Sequence, residues 1–433
     1  MKKYNSYRDS ELGWAGQIPS HWEVEKVKYA YHFFTGGTPP TKVNEYFEGN
    51  NKWANISDIK GKEIYETGKK LSNEGVEVAR ILKSPKGSLF YSFKLSVGAV
   101  AFCGEEMYTN EAIATFLPGK NSLRFLYYLA PIAIIQNANV NIYGAYILNQ
   151  ELINNAFLVL PPLAEQEAIA SYLDAQTARI DSIIEAREKK IKLLEELRAA
   201  IISKAVTKGI RKNVEFKDSG IEWIGRIPKH WEKCPLKWLV KRIGSGKTPL
   251  GGAEVYTSEG IMFIRSQNVY NEGLLTENIA YIPEIIHRQM LYSEVKHNDI
   301  LLNITGGSIG RACLIQDGAI KANVNQHVCE IRPIVEKIYP QFLHYTIISS
   351  HIQNEIRACQ TGGNRDELNF EQISNFIIPL PPIDEQIKIC SLIFGELQRI
   401  SKMFKECNDE IALLKEYRSS LITEVVTGKR KVI

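Results

Sequence analysis

The sequence predicts a mixed fold, α/β (α+β), arranged as a tandem repeat. Two similar globular domains are each followed by a long helix, and the two helices pair antiparallel as a coiled-coil rod. Three observations predict this. The chain of 433 residues aligns with itself, "DSELGWAGQIPSHWE" from Asp9 matching "DSGIEWIGRIPKHWE" from Asp218 without a gap. A proline-to-helix junction occurs twice, "LPPLAEQEAI" from Leu160 and "LPPIDEQIKI" from Leu380. Behind each junction apolar residues recur at alternating steps of three and four.

The elements follow in order. Residues 1–162 form the first domain, in which short β-rich runs such as "KWANISDI" alternate with glycine turns. Residues 163–207 form the central helix: Pro161 and Pro162 block helix propagation upstream, and Glu165 suits the positive end of the helix dipole. Its seam is Leu173, Thr177, Ile180, Ile184, Ile191, Leu194 and Ile201, interrupted at Arg187. Residues 208–382 repeat the domain, with "IMFIRSQNV" and "NDILLNIT" as strands. Residues 383–433 repeat the helix, with the seam Ile393, Leu397, Ile400, Phe404, Ile411, Leu414 and Leu421, and Cys407 where Arg187 stood. Each seam needs an apolar partner, and the other helix is the simplest one; the alternative is that each packs only on its own domain. About 40 residues of helix measure roughly 60 Å. The ends of the two copies agree and their middles diverge, as loops of different specificity do on a shared scaffold.

Composition narrows the function. Apolar content of 44% with 24% charged residues fits a soluble globular chain, and the longest apolar run, "FLYYLAPIAII", is too short to span a bilayer; the expectation is a cytoplasmic protein with no membrane partner. Seven cysteines without a C-x-x-C pair argue against a disulfide framework and a zinc site. "GSGKT" (Gly244 to Thr248) lacks the first glycine of a phosphate-binding loop, Lys241 standing in its place. "LPPL" cannot act as the D/N/S-P-P-Y/F/W loop of an amino-methylating enzyme, because Leu160 cannot accept a hydrogen bond from the target amine and Leu163 cannot stack on the base. Scattered acids such as Asp58 and Asp299 form no catalytic constellation. The chain reads as a binding protein, with no metal and no cofactor of its own.

The paired "GWAGQIPSHWE" and "EWIGRIPKHWE", the G-x-T-P turns, "LPPLAEQ" and "LPPIDEQ", and the terminal "AVTKG" and "VVTGK" together resemble the specificity subunit of type I restriction-modification systems. The resemblance covers the whole chain. It implies that each domain is a target-recognition domain reading one half of a split sequence in double-stranded DNA. It implies that the helices set the spacer and dock two modification (methyltransferase) subunits, which restriction subunits join in some complexes. S-adenosylmethionine, ATP and magnesium would then belong to those partners. The reading that competes with it is a duplicated protein-binding adaptor without DNA readout.

Each domain nets only +2, so phosphate contact would rest on local patches. These are Lys60, Lys62, Lys69 and Lys70 in the first copy, and Lys237, Lys241, Arg242 and Lys247 in the second, crowding a short helix and the turn after it. For base reading the polar side chains of the divergent loops are the candidates, since Arg pairs with guanine and Asn or Gln with adenine. In the first copy they are Asn55, Ser57, Asp58, Asn110, Asn141 and Tyr143. In the second they are Arg265, Gln267, Asn268, Arg311, Asn325, Gln326, Asn364 and Arg365. A solvated face or a capped turn is the structural alternative for each. The shared pairs Trp14/Trp223 and Trp22/Trp231 are expected to pack each domain on the rod.

Overall fold

Helix begins directly behind both proline pairs. In the computed structural model, which describes residues 3–142, 144–211, 213–318, 320–360 and 367–432, one helix runs Leu163–Lys208 and the other Ile383–Val426. At 46 and 44 residues they are each about 70 Å long. The Pro162 and Pro382 carbonyls accept the first helical N–H groups, from Glu165 and Glu385. Each helix stops at a glycine with positive φ, Gly209 after the first and Gly428 after the second, where a left-handed residue closes the last turn.

The compact units of the chain are not contiguous segments. One comprises Met1–Arg187 and Asp409–Ile433, the other Glu188–Asn408, so each unit takes half of each long helix. In the first unit the halves run antiparallel: Arg418 pairs with Asp181 at 3.0 Å and Glu410 with Arg187 at 2.6 Å, one number falling as the other rises. Leu173, Ile180, Leu421 and Val425 are buried between the helices and the first domain, with Ile184 and Leu414 partly buried beside them. In the second unit Ile202, Ala205 and Val206 share a core with Ile389, Cys390 and Ile393, and Leu397 packs against it. Along the remaining seam Leu194, Ile400, Cys407 and Ile411 are buried, whereas Ile191, Ile201 and Phe404 are half-buried. Arg187 occupies its seam position by turning its guanidinium onto Glu410 through two hydrogen bonds.

In the first unit a five-stranded sheet has the order Phe33–Thr35, Ile113–Phe116, Leu89–Ser92, Val100–Cys103, Glu63–Ile64. Its neighbours are antiparallel except the last pair. A three-stranded sheet beside it places Asn51–Ala54 between Tyr108–Thr109, parallel, and Lys69–Leu71, antiparallel. The second unit repeats both. Val240–Ser245, Val328–Pro333, Ile300–Asn303 and Ala312–Leu314 form an antiparallel sheet. Ile261–Ile264 lies between Ala322–Val324, parallel, and Ala280–Ile282, antiparallel. Where the first unit adds Glu63–Ile64, the second has the hairpin Val269–Tyr270/Gly273–Leu274. The mixed fold and the tandem repeat are therefore as the sequence predicts.

Two local expectations need correction. Lys237 lies in the 3-10 turn Leu236–Trp238, but Lys241 and Arg242 sit on the sheet-edge strand Val240–Ser245 rather than on a short helix; the β-branched Val240 and Ile243 favour extension there. Trp223 is 40% exposed, so unlike Trp231 it does not anchor the domain.

Candidate nucleic-acid interface

The two repeated motifs meet in space. In the first unit the strand Gln17–Pro19 ends in a turn, with the Trp22 amide donating to the Pro19 carbonyl, which brings His21 and Trp22 beneath the start of the long helix. There the buried Glu165 carboxylate accepts from the Tyr4 hydroxyl at 2.5 Å, His21 Nε2 at 2.8 Å and Trp22 Nε1 at 3.3 Å. In the second unit Glu385 accepts from His230 Nε2 at 2.9 Å and Trp231 Nε1 at 3.3 Å. Burying a carboxylate is costly unless donors surround it, and here the helix dipole adds to them.

The adjacent glutamines complete each clasp. Gln166 accepts from the Ser122 amide and donates to the Pro161 carbonyl; Gln386 accepts from the Tyr339 amide and donates to the Pro381 carbonyl. The ends of the partner helix arrive at the same places, since a Cβ on Gly209 would stand 3.0 Å from Trp231 and one on Gly428 2.3 Å from Pro19. In the sequence alone these acids read only as helix starters. The signal for their joint role was the recurrence of H-W with E-Q in both copies.

A second repeated feature carries side chains outward. Gly36 and Gly246 pass so close to a neighbouring strand end that a Cβ would lie 1.9 Å from the Thr109 carbonyl oxygen or 1.7 Å from that of Val324. This close approach, which only glycine permits, seats each G-x-T-P turn against an Asn-led turn. Asn110 accepts from the Ala112 amide at 3.1 Å, and Asn325 from the His327 amide at 3.1 Å. Across the seam the Thr38 hydroxyl donates to the Glu111 carboxylate, and the Thr248 hydroxyl donates to Gln326 Oε1 at 2.6 Å. Gln326 and His327 face an open groove of about 790 Å³ that Ser245, Thr305 and Phe370 also line.

The remaining candidates divide into those that hold loops and those that project. Asn55 accepts from the Ser57 amide, and Asp58 accepts from the Asn55 and Gly68 amides, so both close a turn that leaves Ser57 exposed. The equivalent turn in the second copy is closed by Asn268, which is buried, accepts from the Arg265 amide and donates to the Leu275 carbonyl. Asn325 is buried as well, so these two asparagines brace loops and do not project from them. Asn141 accepts from the Ala145 amide.

Lys60, Lys69 and Lys70 are exposed, as are Lys241 and Lys247. Lys60 borders a cavity of about 450 Å³ beside Asp174. Burial raises the Asp174 carboxyl, but hydrogen bonds from Lys62, Tyr128 and Arg124 outweigh it and hold the group below the usual carboxylate range. Arg242 is turned inward to Glu330 at 3.2 Å. Burial and the nearby Asp299 charge push the Glu330 carboxyl up, against the pull of Arg332 and Arg242. Arg265 packs on the Tyr256 ring at 5.6 Å and Arg311 on the Tyr270 ring at 5.0 Å, with Gln267 exposed nearby in sequence. Tyr143, Asn364 and Arg365 lie outside the described residues. Among the described residues no group of His, Cys, Asp and Glu is placed to hold a metal ion, and no helix is long and apolar enough to cross a membrane.

Residues 19–193 and 228–407 match the type I restriction modification DNA specificity domain, once per copy. The chain belongs to that family. As a member of it, the specificity subunit carries two recognition domains in tandem, each bounded by the clasps described above. The EcoBI specificity subunit of Escherichia coli is 27% identical over 363 residues, 80% of this chain and 75% of the relative. The MjaVIII specificity subunit of Methanocaldococcus jannaschii is 23% identical over 423 residues, 96% and 94% of the two chains. In fold, the specificity subunit is similar to a chain from a study of complex assembly and conformational transition in the type I R-M system, with a TM-score of 0.72 at 16% identity, covering 94% of this chain and 98% of that one. It is also similar to the HsdS subunit from Thermoanaerobacter tengcongensis, with a TM-score of 0.53 at 16% identity, covering 98% and 100%.

Proposed function

We propose that this specificity subunit is the non-catalytic, DNA-reading component of a cytoplasmic type I restriction-modification complex. Each recognition domain reads one half of a bipartite target in double-stranded DNA. The paired helices set the unread spacer and dock two modification subunits. Methyl transfer with S-adenosylmethionine, and any cutting driven by ATP and magnesium in restriction subunits, take place on those partners. The observation that carries the reading is the repetition of the clasp around divergent loops: Glu165 and Glu385 hold equivalent Trp and His side chains, while the surface turns between the clasps differ. A common frame with two different faces is what an address in two parts requires.

The test is methylation-aware sequencing of DNA from a host that expresses the chain with its modification subunits. Adenine methylation in a two-part motif is expected, and exchange of residues 35–150 for another recognition domain should change only one half. Absence of any such motif would overturn the reading. The ruler is tested separately. Arg187 faces Glu410, so one heptad inserted after each of these keeps the helices in register. It adds roughly 10 Å, or about three base pairs, to the expected spacer. A spacer of unchanged length would exclude the helices as its cause.

A further inference from the structure

We propose that Glu111 and Gln326 are equivalent base-reading residues, and that their chemical difference makes the first domain select a cytosine where the second selects an adenine. The inference rests on the DNA-reading function proposed above and extends it to a named residue pair, of which Glu111 lies outside the polar candidates that the sequence suggests.

"TNEAI" (Thr109 to Ile113) and "VNQHV" (Val324 to Val328) occupy the same place in the two units. In each, the first residue ends a strand parallel to the central strand of the three-stranded sheet. The asparagine then braces the turn through the amide two residues on. The third residue is exposed and takes a hydrogen bond from the threonine of the G-x-T-P turn, Thr38 for Glu111 and Thr248 for Gln326. The glycines that admit this contact, Gly36 and Gly246, leave no room for a Cβ. Two copies that have diverged through their middles thus keep the seat and change the head of the side chain.

The seats leave different hydrogen-bonding groups free. Thr248 occupies one lone pair of Gln326 Oε1, and Gln326 Nε2 lies 3.1 Å from His327 Nε2. His327 Nδ1 in turn lies 2.7 Å from the Thr305 hydroxyl. With the imidazole accepting at Nε2 and donating at Nδ1, the amide keeps one acceptor and one donor side by side. That pair matches the N6 amine and N7 of adenine in the major groove. In the first copy Ala112 stands where His327 does, and Glu111 has a carboxylate that only accepts. An acceptor-only head suits the N4 amine of cytosine. A carboxylate also repels phosphates, so on a DNA-reading face it is tolerated where it meets an exocyclic amine.

The experiment uses the full chain assembled with its modification subunits and selects targets from a pool of duplexes randomised over both half-sites. Wild type should show a preferred cytosine at one position of one half and a preferred adenine in the other. Glu111→Gln should change the preference at that first position alone, and Gln326→Glu at the second alone, each by about five- to 150-fold. Thr38→Val and Thr248→Val, which loosen the seats without altering the heads, should broaden the same positions. If Glu111→Gln and Gln326→Glu keep the wild-type preference at every position, or weaken binding equally at all positions, the two residues only pin the turns and the proposal fails. Thermal unfolding of each variant separates that result from loss of fold: a variant that melts early is replaced by Glu111→Asp or Gln326→Asn, which must weaken the same single position. A wild-type complex that selects no sequence would overturn the DNA-reading function itself, a different outcome from either.

Discussion

Replacing Glu385 by alanine removes the acceptor shared by Trp231 and His230 at the point where the second domain meets its helix. Trp231 is fully buried, so its indole N–H loses its partner with no water to replace it, at a cost of about 1–3 kcal/mol. His230 is 38% exposed at its side chain, and its share is discounted to about 0.5 kcal/mol. Loss of a carboxylate from the first helical turn adds roughly 0.3–1 kcal/mol. The total is about 2–4 kcal/mol, which for a unit of this size lowers Tm by roughly 5–15 °C. Glu385→Gln keeps an oxygen for the indole and should lose about half as much. Glu165→Ala should cost at least as much as Glu385→Ala, because the Tyr4 hydroxyl also bonds to Glu165, whereas the further partner of Glu385 is the exposed Arg211 at 3.8 Å. Calorimetry gives the shift, and hydrogen exchange near Trp22 and Trp231 shows which unit loosens. Melting of Glu385→Ala within about 1 °C of wild type, or a glutamine variant as damaged as the alanine one, would refute the clasp.

Three further outcomes are expected. Gly246→Ala, whose Cβ would lie 1.7 Å from a carbonyl oxygen, should lower stability by roughly 3 kcal/mol or more, while Gly307→Ala, with nothing within 4 Å, should be nearly silent in thermal unfolding. His344 and His351 are each pushed down to about 4 by burial, so both fold as neutral rings. Their contribution is therefore fully present above the unfolded value near 6.5 and is lost as pH falls toward 4, by about 3 kcal/mol each, a slope readable from urea midpoints and flattened in His344→Gln. Along the helices, Leu173→Ala should cost about 2–4 kcal/mol because the side chain is fully buried, and Leu193→Ala, 63% exposed, should cost well under about 1 kcal/mol in denaturant titration.

The candidate site was legible to different depths for different residues. Polar side chains on divergent loops were visible in the sequence as a class, but their direction was not. Asn268 and Gln267 are neighbours, yet one is buried and bonded to the Leu275 carbonyl while the other is exposed. A capping asparagine and a base-reading asparagine are the same residue type, and only the partner within reach separates them. Arg242 shows the same limit for charge. It counts toward a basic patch in the sequence, yet it faces the buried Glu330, which sits 88 residues away.

Local chemistry and repetition belong to the sequence. The proline pairs dictate where the long helices begin, the three-four spacing dictates which stripe of each is apolar, and self-alignment dictates that the domain occurs twice, since each of these depends on residues close in the chain or on copies compared directly. The tertiary structure alone decides how the stripes and motifs are used. It divides each helix between two compact units, brings Glu165 within 3.3 Å of a tryptophan 143 residues earlier, and sets the Thr38 and Thr248 hydroxyls on Glu111 and Gln326. The physical reason is that a buried carboxylate or a tight glycine seat is stable only when groups distant in sequence arrive together, and that arrival is a property of packing rather than of spacing.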